Sequence, residues 1–347
     1  MSWQDYFEYI NYTIDDEIIE RYEYKDKRVE KLPADLPMPP TDTFYRMFRY
    51  CEQLQDISAI ANWNTGNIKD MAEMFYDCKS LQDITALFKW NTSKVIDMSY
   101  MFQSCEQLRD VSALSNWDTR NIENMESVFE YCYQLQDISP LSSWNTSSVT
   151  NMNYMFNECG KLQDITALAN WDISNVKYMR EMFSECVSLQ DITALANRNV
   201  SKVENMSQMF SCCHQLKDIS ALANWNTSNV TDMSQMFGCC HQLQDITALS
   251  NWNISNVNDM SWMFCNCTRL QDITALSNWD VSNVRNMRCM FSICNQLQNI
   301  NSLANWDISN VKDMSQMFYE CRQLQDTTAL SNWDVSKVEN TYCMFGD

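Results

Sequence analysis

The sequence predicts an α/β solenoid of about eleven stacked repeats, each a short strand, a corner and a short helix, behind an N-terminal helical cap. Three observations predict it. Phenylalanine recurs every 27 residues, at Phe48, Phe75, Phe102, Phe129, Phe156, Phe183, Phe210, Phe237, Phe264, Phe291, Phe318 and Phe345. Cysteine follows three residues later, from Cys51 to Cys321, and leucine three beyond that, from Leu54 to Leu324, neither with an omission. No insertion or deletion breaks the register over about 300 residues, as stacking demands and a globular core does not.

Composition narrows the function. The chain has 347 residues, 45 acidic against 25 basic side chains and a net charge of −20. Nucleic-acid phosphates require clustered Lys and Arg, so the acidity argues against such a partner. A hydrophobic content of 45% is too high for a disordered chain. Apolar runs never reach the length of a spanning helix, so no membrane insertion is expected. Four glycines leave no glycine-rich phosphate loop, and two histidines leave little for imidazole chemistry. A non-enzymatic protein without a cofactor is expected. The first residues carry no basic and apolar leader, so the sequence reads as cytoplasmic and its sixteen cysteines as reduced thiols. Export without a leader, or display at a surface, is the alternative.

Residues 1–43 do not repeat. Trp3, Tyr6, Phe7, Ile10, Ile14, Ile18 and Ile19 are spaced roughly as on a helix, which predicts one or two helices capping the array. Pro33, Pro37, Pro39 and Pro40 mark a stiff connector. The solenoid then occupies 44–347. In one repeat Val230, Met233, Met236, Phe237, Cys240 and Leu243 form an apolar stripe at helical spacing, with Ser228 and Asn229 as N-cap candidates and Asp232 in the first turn. Leu243–Leu249 reads as the strand, and Asn251 and Asn253 around Trp252 as the corner. Nine of 27 positions are large and apolar, which fills a narrow core shared between repeats.

Trp117-Asp118-Thr119, Trp225-Asn226-Thr227-Ser228-Asn229-Val230 and Met236-Phe237 resemble the signature of the bacterial surface protein repeat, or BspA-like leucine-rich repeat, a mycoplasma-lipoprotein-type repeat of unknown function. The resemblance covers roughly 44–347. It implies a leucine-rich-repeat-like solenoid, commonly a surface or adhesive role, and no catalytic activity.

Several columns are candidates for function. The Cys column reads as a small buried hydrophobe. The Asp column, Asp56 to Asp272 and Asp326 with Asn299 as the exception, places like charges one repeat apart; carboxylates capping backbone N–H groups would offset the repulsion, and a row of bound cations is the alternative. Cys212-Cys213-His214 recurs as Cys239-Cys240-His241, and Cys212, His214, Cys239 and His241 would match a zinc or redox set. Duplication of one repeat explains the same pattern. Arg198 interrupts the Trp column between Trp171 and Trp225, which predicts partly exposed tryptophans with the guanidinium between two indoles. Glutamines beside the Asp column and the Ser or Thr that follows should face solvent. Gln136, Asp137, Gln163, Asp164, Gln190, Asp191, Gln244 and Asp245, with Arg198, are the candidate partner-binding residues.

In the last repeat Thr327 replaces the strand Ile and Thr341 the helix Met, so that edge either is blunted or pairs with a second copy in a homodimer. Three functions remain: a scaffold binding a protein partner, from a host or its own kind, along the solenoid; a surface adhesin whose leader is absent here; and, weakest, a metal or redox protein.

Overall fold

A computed structural model describes residues 2–14 and 17–346, with side chains outside 12–19. The chain divides into two compact units, Met1–Asp172 and Ile173–Asp347.

Both units are built from one coil that turns every third residue. In the second unit Met236 N–H bonds Met233 O (3.3 Å), Cys240 N–H bonds Phe237 O (3.2 Å), Leu243 N–H bonds Cys240 O (3.0 Å), Leu249 N–H bonds Ile246 O (2.9 Å) and Trp252 N–H bonds Leu249 O (3.1 Å). Residues three apart therefore point inward, and 27 is nine such steps. Along the stretch expected to be helical, alternate N–H groups leave the repeat. Met233, Gln235, Phe237 and Cys239 donate to Asp259, Ser261, Met263 and Cys265 of the next repeat at 2.7–3.1 Å. This alternation requires a left-handed residue twice per repeat, here Gln235 (φ 55°) and Cys239 (φ 58°). A right-handed helix cannot contain them, and the described residues contain no α-helix. The apolar stripe is real but the element is a string of β-turns.

The expected strand is also shorter than its sequence suggests. Pairing is reduced to isolated parallel bridges such as Asp56↔Asp83, Asp110↔Asp137 and Asn299↔Asp326. After the Leu-Gln-Asp segment the chain enters a 3-10 turn, for example Ser112–Leu114, Thr166–Asn170 or Thr247–Asn251. Both units are thus arrays of 27-residue repeats with periodic 3-10 turns and minimal strands.

Within each unit the inward residues form continuous columns. Phe75, Phe102 and Phe129 stack at 5.7 and 5.9 Å with planes 8° and 4° apart, and Phe210, Phe237 and Phe264 at 5.9 and 5.8 Å. The column cysteines are buried and reduced. Each named thiol also donates a hydrogen bond. Cys78, Cys105 and Cys132 point Sγ at Phe48, Phe75 and Phe102 O at 3.2–3.3 Å, and Cys240 and Cys267 do the same to Phe210 and Phe237. Burial pushes these thiols well above the ordinary cysteine range, and it raises Cys51 to about 12.

The N-terminus departs from the expected helical cap. It is an antiparallel hairpin of β1 (Phe7–Ile14) and β2 (Glu17–Tyr24), in register from Phe7↔Tyr24 to Ile14↔Glu17. Phe7 and Tyr24, paired across the strands, turn their rings onto Phe48 at 6.1 and 5.6 Å, and Phe7 also meets Trp63 at 6.2 Å. Aromatic and β-branched residues fit a pleated surface better than a helix, and Tyr24 N–H reaches Met47 O at 2.7 Å. Ile14, Ile18 and Ile19, part of the helical reading, have side chains outside the described residues. The proline segment packs on the first repeats: Leu32 and Leu36 are buried, and Lys31↔Asp56 and Thr43↔Asp70 bridge it to them.

Candidate functional site

The Leu-Gln-Asp-Ile-Ser/Thr segment builds a polar ledge. Its Leu and Ile point inward, so the Gln and Asp between them face solvent. Each Asp then accepts the N–H two residues on and starts the 3-10 turn. The distances are 2.8 Å for Asp137 and Ser139, 2.6 Å for Asp164 and Thr166, and 2.8 Å for Asp245 and Thr247. These bonds answer the like-charge problem, because a carboxylate fixed by N–H dipoles tolerates a neighbour. Asp218 is held below the usual carboxylate range by the Ser220 backbone N–H. Asp56 falls to about 2, chiefly through Lys31, whose ammonium sits at 2.6 Å.

Shallow hollows separate neighbouring repeats along this ledge. Gln136, Asp137, Gln163 and Asp164 line one of 440 Å³ in the first unit, joined by Arg109 and Lys161. Gln244 and Asp245 line another of 380 Å³ in the second unit, with Gln271 and Asp272. Gln190 and Asp191 are exposed in the second unit.

Arg198 does not belong to the ledge. It is half-buried at the corner, where Nε donates to Ala196 O at 3.3 Å and Asn197 takes a left-handed φ of 57°. The exposed tryptophan ridge is corrected here as well: Trp90, Trp117, Trp144, Trp225 and Trp252 are at most 4% exposed. Their indole N–H groups donate to the carbonyl of an inward Leu or Ile one repeat back, at 3.0 Å for Trp144 to Leu114 and for Trp225 to Leu195. The indole N–H finds its acceptor inside the coil, and that draws the ring in.

The two Cys-Cys-His repeats stack in the second unit. His214 and His241 lie with ring centroids 4.6 Å apart. Cys212 and Cys239 are half-exposed and interact with each other. Cys213 and Cys240 lie between thiol and imidazole in sequence and point into the core. The chain turns tightly about that inward residue, with His214 N–H on Cys212 O at 2.8 Å and the His241 ring Nδ1 3.0 Å from Cys239 O. Among the described residues no group of three or more His, Cys, Asp or Glu side chains is placed to hold a metal ion.

One cluster escapes the sequence reading. Glu130, 6% exposed, accepts Gln103 Nε2 at 2.6 Å and Asn157 Nδ2 at 3.0 Å. The three residues stand 27 apart, and that register, in a column otherwise of varied residues, is the available signal. Such a buried carboxylate, held by two amides, ties three repeats together.

No helix of the described residues is long and apolar enough to cross a membrane. The family described as "Mycoplasma protein of unknown function, DUF285" matches residues 42–139, 108–218, 190–294 and 243–347. No curated protein matches the chain.

Proposed function

The chain belongs to the family of Mycoplasma proteins of unknown function, which matches it from residue 42 to residue 347, and from that premise we propose a non-enzymatic scaffold that binds a protein partner along the polar ledge. One observation carries the reading. Gln136, Asp137, Gln163 and Asp164 are exposed around one hollow, with their backbone already fixed by Asp-to-N–H bonds. A partner meeting this ledge finds backbone whose ordering cost is already met in the free protein. Arg109 and Lys161 beside the carboxylates give it both signs of charge. Repeat arrays commonly use such extended surfaces for binding.

The finer family reading, a BspA-like leucine-rich repeat, supports a surface protein. On that reading the same ledge serves an adhesin, and the partner is a host protein rather than one from the producing cell. Immobilised protein incubated with extracts of the producing cell and of a host cell tests both. The double variant Asp137→Lys, Asp164→Lys is expected to lose the captured protein while Lys312→Glu, elsewhere on the surface, keeps it. Equal capture by wild type and double variant refutes ledge binding, and the extract that supplies the partner decides between scaffold and adhesin.

A further inference from the structure

Of the sixteen cysteines, thirteen are buried; only Cys212, Cys239 and Cys343 are part-exposed. Cys212 and Cys239 are one repeat apart, in adjacent coils of the second unit, with the same left-handed backbone (φ 56° and 58°). Each is hydrogen-bonded onward, Cys212 N–H to Gly238 O and Cys239 N–H to Cys265 O, both at 2.7 Å. Neighbouring strands lie ~4.8 Å apart, inside the ~4.4–6.8 Å that a disulfide spans between α-carbons. Cys343 has Gln316 at the equivalent position one repeat back and so no thiol to meet.

The geometry points to a peroxide-responsive modification site, in which Cys239 and Cys212 form a reversible disulfide that joins two adjacent repeats. Four side chains stack along this column in the order Glu185, Cys212, Cys239, Asn266. Asn266 Nδ2 donates to Cys239 Sγ at 3.7 Å, and Ser211 Oγ donates to Cys212 Sγ at 3.8 Å. The column places the Asn266 amide next to Cys239 and the Glu185 carboxylate next to Cys212, so interaction with Cys212 and Asn266 lowers the Cys239 thiol to about 6, while interaction with Cys239, burial and Glu185 push Cys212 up. The two thiols are thus divided into a nucleophile and a resolving group. A part-exposed, acidified thiol beside a second thiol is the arrangement that responds to oxidants. The core thiols Cys213 and Cys240 differ in both respects, being buried and directed at the Phe183 and Phe210 carbonyls at 3.2 Å.

The chemistry balances with hydrogen peroxide as oxidant. Cys239 thiolate attacks one peroxide oxygen; an S–O bond forms, the O–O bond breaks, and the departing hydroxide takes a proton to become water. Cys212 sulfur then attacks Cys239 Sγ. The S–S bond forms, the S–O bond breaks, and the departing hydroxide takes the Cys212 proton. Two thiols lose two electrons and one peroxide becomes two waters. A small dithiol reverses the reaction by thiol–disulfide exchange.

The test uses the full chain. Reduced protein is treated with limiting hydrogen peroxide, remaining thiols are blocked with N-ethylmaleimide after unfolding, and tryptic peptides are analysed by mass. The expected product links residues 203–217 to 218–269, is two hydrogens lighter than the separate peptides, and disappears on dithiothreitol treatment. Oxidation at Cys239 should run about tenfold faster than at Cys343, because thiolate is the reacting form. Cys212→Asn and Cys239→Asn take the residue already present at Asn266. Each should abolish the link, and Cys212→Asn should leave Cys239 as a sulfenic acid trapped by dimedone. A wild-type protein that oxidises Cys343 as fast as Cys239, or forms no link, overturns the proposal. So does a link that survives in either variant, since another cysteine of the two peptides (Cys213 in one; Cys240, Cys265 or Cys267 in the other) would then be its source.

Discussion

Replacing Asp70 by Asn should stabilise the first unit at neutral pH and leave it unchanged near pH 3. Asp70 lies between Thr43 and Asp97 in a column of parallel bridges. Burial, and then the nearby Asp97 charge, push its carboxyl up from 3.8 to about 6. The folded state therefore holds this proton more tightly than the unfolded chain does. Below about pH 3 both states are protonated and no cost arises; stability falls as pH rises from there toward 6, and above 6 the full cost of the buried charge is present. At 1.36 kcal/mol for each tenfold change, the difference between 3.8 and about 6 is at most about 3 kcal/mol. Partial solvent access brings the working figure to about 1–3 kcal/mol. Asn keeps the Oδ1 that accepts Ala72 N–H at 2.8 Å, as Asn124 does for Glu126 at 3.1 Å. Repeat arrays unfold locally, so the assay is hydrogen exchange at Ala72 and at Phe44, whose N–H bonds Asp70 O at 2.8 Å. Protection relative to wild type should rise about fivefold or more at pH 7 and not at pH 3. Equal ratios at the two pH values, or weaker protection in the variant at pH 7, would refute the electrostatic reasoning.

Two further substitutions probe the coil itself. Ile293 is β-branched yet held at φ 60°, so Ile293→Asn should raise the urea midpoint of the second unit by an amount equivalent to about 1 kcal/mol; an unchanged or lower midpoint would show that its side-chain packing outweighs the backbone strain. Trp144→Phe removes the indole bond to Leu114 O (3.0 Å) and part of a buried ring, and should cost about 2 kcal/mol in denaturant unfolding. A cost near zero would restore the exposed-ridge reading of the tryptophans.

The candidate site is legible in part. Gln136, Asp137, Gln163 and Asp164 fall on one exposed row because Leu135 and Ile138 on either side of the first pair must face inward. That Asp137 also fixes the Ser139 N–H follows from the chemistry of short carboxylates. The hollow with Arg109 and Lys161 is not legible, since it depends on how far apart the repeats stand. Arg198 misleads because an arginine in the Trp column shows only that one position yields, not that the other indoles are exposed.

By itself the sequence determined the period, the register and the identity of the inward columns. Phe102 can meet Phe129 only if every 27th residue returns to the same place. Tertiary structure decided the backbone between those points. Residues three apart share a face on a helix and on a string of three-residue turns alike, so the Val230-to-Leu243 spacing fits both. The neighbouring repeat breaks the tie: its carbonyls at Asp259, Ser261, Met263 and Cys265 accept alternate N–H groups, and reaching them requires left-handed Gln235 and Cys239. The same holds for residues 7–24, where the aromatic pair Phe7 and Tyr24 takes a strand geometry because that places both rings over Phe48, whose face the first repeat would otherwise leave open.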